Sequence, residues 1–135
     1  MNRSPKRRGI ALLATAAVGA ASLTAVAATH TPSAHRSLTN GSTEFSYSAP
    51  TITVTIPRGK TKVRVVLGYR NTGSTEHTIA VRGAKLKPRR SKVAGVGASA
   101  TITALVGPGR YTYYCWLPGH AKNGMKGILK VVQGV

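Results

Sequence analysis

The sequence predicts an all-β sandwich, and three observations carry that prediction. Short runs alternate β-branched apolar with polar residues, turn signals rich in Gly, Pro and Asn separate them at close spacing, and no segment offers a long helical period. Thr51 to Ile56 is the clearest strand, ended by the turn Pro57-Arg58-Gly59. Lys62 to Leu67 follows, with Lys62 and Arg64 toward water and Val63 and Val65 toward a core. Asn71-Thr72-Gly73-Ser74 is a strong turn signal, and the next strand opens at His77 and runs to Val81. Gly83 to Lys92 breaks the pattern with Lys85, Lys87, Arg89, Arg90 and Lys92 around Pro88. It reads as a basic loop or edge, because Lys and Pro discourage further strand pairing. Ala98 to Val106, Tyr111 to Trp116 and Gly127 to Val132 complete the strands, with Gly107-Pro108-Gly109 as the turn between the first two.

The chain ahead of this region has a different texture. Arg3, Lys6, Arg7 and Arg8 precede an uncharged run from Ile10 to Thr29, which reads as an export signal over residues 1–27. Ala25-Val26-Ala27 fits the small-x-small cleavage rule and places the mature start near Ala28; the rival reading is an uncleaved membrane anchor. Arg7-Arg8 is an incomplete match to twin-arginine export. Residues 28–42, with few large apolar side chains, read as a flexible leader, and residues 43–135 as the folded domain.

The whole chain carries +18, and loss of the four cations of the export segment leaves about +14, with Glu44 and Glu76 the only acids. Such a surface attracts anionic partners. For an exported protein these are membrane headgroups, cell-wall polyanions or an acidic redox protein. Nucleic acid is excluded as the partner, since the sequence has no recognition helix, zinc-knuckle spacing or aromatic-basic motif. The protein is expected to be a monomer.

Cys115 is the only cysteine, so no internal disulfide exists, and metal ligation would protect its thiol in an oxidising compartment. Behind it at short distances stand His120 and Met125, with four residues in each gap. Thiolate, imidazole and thioether together describe copper, and a His2Cys set with a weak axial Met is the recipe for a blue-copper site. Zinc is disfavoured because thioether is not among its usual ligands. The second histidine is His77, which follows a turn and lies far from Cys115 in sequence. Tyr111, Tyr113 and Cys115 share one strand face, while Thr112, Tyr114 and Trp116 share the other.

These residues resemble the cupredoxins, the blue-copper family of plastocyanin and azurin. The resemblance covers Phe45 or so to Val132. It rests on Pro108-Gly109-x-Tyr111-x-Tyr113-x-Cys115, on Pro118-Gly119-His120 and Gly124-Met125-x-Gly127, and on Asn71 and His77 upstream. The loop spacing is closest to that of auracyanin and rusticyanin. The resemblance implies a Greek-key sandwich, equatorial copper ligands His77, Cys115 and His120, and axial Met125. It also implies donors to the thiolate from the amides of Thr78 and Leu117. Glu76, just ahead of His77, is either an exposed turn residue or a negative charge beside the site that favours Cu(II). A free terminus Ala28-Thr29-His30, with His35 nearby, offers a second square-planar site for Cu(II) or Ni(II). Three functions stand open: a one-electron carrier, a copper carrier or scavenger in extracytoplasmic homeostasis, and a Cys115–His120 nucleophile pair. The last lacks a base-orienting acid nearby in sequence and leaves Met125 unexplained, so the chain is expected not to be an enzyme.

Overall fold

The computed structural model describes residues 30–83 and 85–135. The export segment 1–27, with Ala28 and Thr29 of the expected N-terminal site, lies outside the described residues. Among the described residues eight strands form: β1 Ser33–Leu38, β2 Thr51–Ile56, β3 Val63–Arg70, β4 Ala80–Gly83, β5 Leu86–Arg90, β6 Ser99–Val106, β7 Gly109–Tyr114 and β8 Lys126–Gln133. They make a three-stranded sheet, β1-β3-β6, and a five-stranded sheet, β2-β8-β7-β4-β5. Most connections cross from one sheet to the other, as in a Greek-key sandwich.

Alternation decides which side chains go inside. In β2 and β6 every second residue is buried, and β3 follows the same pattern through Val63, Val65, Leu67 and Tyr69. The buried residues of β3 and β6 meet Ile52, Val54, Ile56, Val81, Tyr111, Tyr113, Leu129 and Val131 of the facing sheet in one core. Each fully buried Val, Leu or Ile contributes roughly 1.5–3 kcal/mol, so a register slip of one residue would forfeit the whole set.

One expectation is corrected. The flexible leader expected over 28–42 gives way to structure at Ser33, where β1 pairs in parallel with β3 from Ser33↔Arg64 to Leu38↔Tyr69. The segment lacks large apolar residues because only Leu38 of the strand is buried; backbone pairing, which side-chain composition does not report, holds it. The basic stretch after Gly83 is the edge strand β5, with Pro88 on the sheet edge. His77 precedes β4 and does not belong to it, making an isolated bridge to Ala94.

The connection from β1 to β2 carries the chain between sheets. It is closed by Gly41 N–H to Ser46 O (2.9 Å) and Ser48 N–H to Thr39 O (3.0 Å). This turn delivers Glu44, Phe45 and Tyr47 to the end of the sandwich where the Cys115 loop lies.

Candidate metal centre

His77 is held by backbone on both sides. Its N–H donates to Ala94 O (3.1 Å) and its carbonyl accepts from Ala94 N–H (2.8 Å). The turn before it is organised by Asn71, which is fully buried: its amide donates to Thr75 O (2.7 Å) and Ala94 O (2.9 Å), and its oxygen accepts from Gly73 N–H (2.9 Å). The His77 ring is itself fully buried, with Phe45 and Tyr69 packed edge-on against it.

Cys115 and Met125 close a loop. The Cys115 N–H donates to Met125 O, and the Met125 N–H donates to His120 O, each at 3.0 Å. Between them the chain turns through His120 N–H to Leu117 O (3.2 Å) and Asn123 N–H to Gly119 O (2.9 Å). Gly119 and Gly124 take φ of 80° and 114°, a region costly for residues with a Cβ. A side chain at Gly124 would also crowd Phe45 O. Met125 is fully buried and His120 half-buried, with Phe45 edge-on at 4.9 Å between ring centroids.

The geometry converges. One ligand atom each from His77, Cys115 and His120 lie within 4.8 Å of one another. His77 Nδ1 faces His120 Nδ1 at 3.2 Å, and Cys115 Sγ lies 3.4 Å from His120 Nδ1. Burial and the neighbouring His77 hold His120 below the ordinary imidazole value, favouring the neutral ring a metal requires. Thr78 Oγ1 sits 3.3 Å from the sulfur and accepts the Trp116 N–H at 2.9 Å. Toward a metal-binding thiolate, which has no proton to give, the hydroxyl is the donor.

The surroundings differ from expectation in two ways. Thr78 meets the sulfur through its hydroxyl, whereas an amide was expected, and Leu117 is an apolar neighbour packed on the core. The acid beside the site is Glu44, while Glu76 is exposed to solvent, the first of the two readings given for it. Glu44 Oε1 lies 2.5 Å from His77 Nε2. Its carboxyl is lowered to about 2, first by the Ser74 amide and next by His77. Glu44 lies 33 residues from His77, and no local motif joins them; the one available signal was its being one of two acids in so basic a chain. His30 and His35 are exposed and stand apart from the cluster.

A family model for copper-binding proteins of the plastocyanin/azurin family matches residues 34–132. The chain belongs to this family. Its metal is therefore copper, which suits two imidazoles and a cysteine sulfur converging at one point. Solved structures agree on the fold. Reduced auracyanin from Roseiflexus castenholzii shares 23% identity over 74% of this chain and 98% of its own, with a TM-score of 0.54. Auracyanin A, a "blue" copper protein from Chloroflexus aurantiacus, shares 19% over 73% and 98%, with a TM-score of 0.60. Auracyanin B shares 18% over 76% and 91%, with a TM-score of 0.59. No curated protein matches the sequence. The family match begins inside β1, in keeping with that strand's place in the fold.

Proposed function

We propose that this copper protein is an exported one-electron carrier, with His77, Cys115 and His120 as equatorial ligands and Met125 as the axial one. The observation that carries the reading is the convergence of one thiol and two imidazoles within 4.8 Å at one end of a rigid sandwich. Copper, when bound, supplies the Cu(I)/Cu(II) couple. The chain's own part is to hold the donors still. His77 is pinned through Ala94 and Asn71, and Cys115 and Met125 are pinned to each other through the backbone. Such pinning suits a donor set that should hardly move when an electron enters or leaves. His120, the more exposed ring, is the natural portal.

The partner we infer is a redox protein with an acidic surface. Strand alternation places Arg82, Arg90, Arg110, Lys126 and Lys130, all exposed, on the outer face of the five-stranded sheet. Arg82 lies over Tyr114 (4.6 Å to the centroid) and Arg90 over Trp116 (5.7 Å), next to Cys115 on either side. The outer face of the three-stranded sheet carries only Arg64 and Arg70 from β3. The charge is therefore lopsided, with Arg90 and Lys126 in register with Tyr114 beside Cys115 and Arg110 and Lys130 at the far end of the same face.

Copper loading tests the function. An intense thiolate-to-Cu(II) absorption, bleached by ascorbate and absent in Cys115→Ala, is expected. A copper-loaded protein without that band, or a variant that keeps it, would sink the blue-copper reading. Electron exchange with an acidic redox protein far faster than copper release separates a carrier from a scavenger. Mass spectrometry of the exported protein, expected to show a start near Ala28, tests cleavage of the segment 1–27.

A further inference from the structure

Glu44 stands where it can act on His77 from behind. The chain has 20 cationic residues and two acids, and among the described residues the one ion-pair contact is between Glu44 and His77. Oε2 of the carboxylate accepts from Ser74 N–H (2.9 Å) and Ser74 Oγ (3.1 Å), and Oε1, the oxygen that faces His77, accepts from Thr75 N–H (3.1 Å) and Thr75 Oγ1 (3.0 Å) as well. These donors aim its Oε1 at a ring with no solvent exposure, while the carboxylate's own side chain is 27% exposed. The opposite ring atom, Nδ1, faces His120 and the thiol. His77 thus has one nitrogen toward the metal pocket and the other on a carboxylate.

We propose that Glu44 is a positioning residue that fixes His77 as the Nε2–H tautomer and, through that hydrogen bond, makes its Nδ1 a stronger donor that favours Cu(II) over Cu(I). The physical reason is general: a carboxylate accepting the far N–H of a ligating histidine locks the ring and raises its basicity. A stronger donor backed by negative charge stabilises the more highly charged ion. The reduction potential is therefore held lower than a neutral acceptor would leave it. Asn40 supports the placement: its side-chain amide donates to Glu44 O (2.9 Å), and its oxygen accepts from Tyr69 Oη (2.5 Å) and Thr72 N–H (3.0 Å). The turn bearing Glu44 is thereby tied to the strand and loop that lead to His77.

This inference rests on the copper reading above, and its test separates the two. Glu44→Gln keeps an oxygen for Ser74 and Thr75 but removes the charge. Its potential should rise by the equivalent of about a tenfold loss in the preference for Cu(II), about 59 mV for a one-electron couple, with the thiolate-to-copper band retained. Glu76→Gln removes the same charge from a solvent-exposed position and leaves the carboxylate of Glu44 on His77, and its potential should stay near that of the unaltered protein. An unchanged potential in Glu44→Gln, or an equal shift in both variants, would overturn the proposal. Loss of the band in the unaltered protein would instead defeat the copper reading itself. Should Glu44→Gln fail to fold, nitrogen-15 correlation spectra of the unaltered Cu(I) protein decide the matter. A strongly deshielded proton on His77 Nε2 is expected, and an unprotonated Nε2 or a proton exchanging freely with water overturns it.

Discussion

Thr78 does two jobs with one oxygen, accepting the Trp116 N–H and donating to the Cys115 sulfur. Thr78→Val removes the donor at nearly constant volume. A thiolate relieved of that hydrogen bond is more electron-rich, so the potential should fall, opposite in sign to the change in Glu44→Gln; voltammetry of the two variants side by side checks this. The orphaned amide should also cost about 1–3 kcal/mol in urea unfolding. Asn71 is the second residue whose loss is readable in advance. Asn71→Ala leaves Thr75 O and Gly73 N–H without partners inside a closed turn and takes from Ala94 O one of its two donors. A loss of about 3 kcal/mol in stability at unchanged m-value is expected, together with weaker copper binding, since the same turn sets the entry to His77. Glu44 was visible as a residue but not as a contact, because its partner lies on a different loop.

Among the elements, β7 and β8 transmit the core to the site. Their register sets Tyr113 opposite Gly127, and the Tyr113 ring fills the space a side chain at 127 would take. The ring is fully buried and its hydroxyl donates to Ala49 O, so it has nowhere to go. Gly127→Ala should therefore overpack this point by about 1–3 kcal/mol. Because Met125 precedes β8 and Cys115 follows β7, the blue absorption should shift or weaken as well; thermal melts and spectra of the copper form check both. Most strands were legible from alternation, β2 to the residue and the others to within a few positions; β5 was seen only as a basic loop or edge. β1 was not. Its Ser, Ala, His and Arg side chains leave one buried position, and what holds it is a parallel ladder to β3.

For the whole molecule, the unequal charge of the two outer faces predicts how partners arrive. Association with an acidic redox protein should slow steeply as ionic strength rises from about 10 mM to 150 mM, where the screening length falls from about 30 Å to about 8 Å. Replacing Arg82 and Arg90 together by Gln should lower the association rate about tenfold at low salt, with the copper spectrum unchanged. Stopped-flow mixing measures the rate, and equal slowing by Arg64→Gln with Arg70→Gln would show that net charge alone matters.

The sequence by itself determined the class of fold, the ligand types and the metal they suit. Strand alternation reports burial directly, and a lone Cys with His and Met at short spacing admits few chemistries. Tertiary structure alone decided the rest: that β1 joins the sandwich, that a hydroxyl from Thr78 reaches the sulfur, and that Glu44 backs His77 while Glu76 faces water. The reason is the same in each case. Backbone ladders and hydrogen bonds between distant loops depend on where the chain ends up in space, and no local period or spacing encodes that.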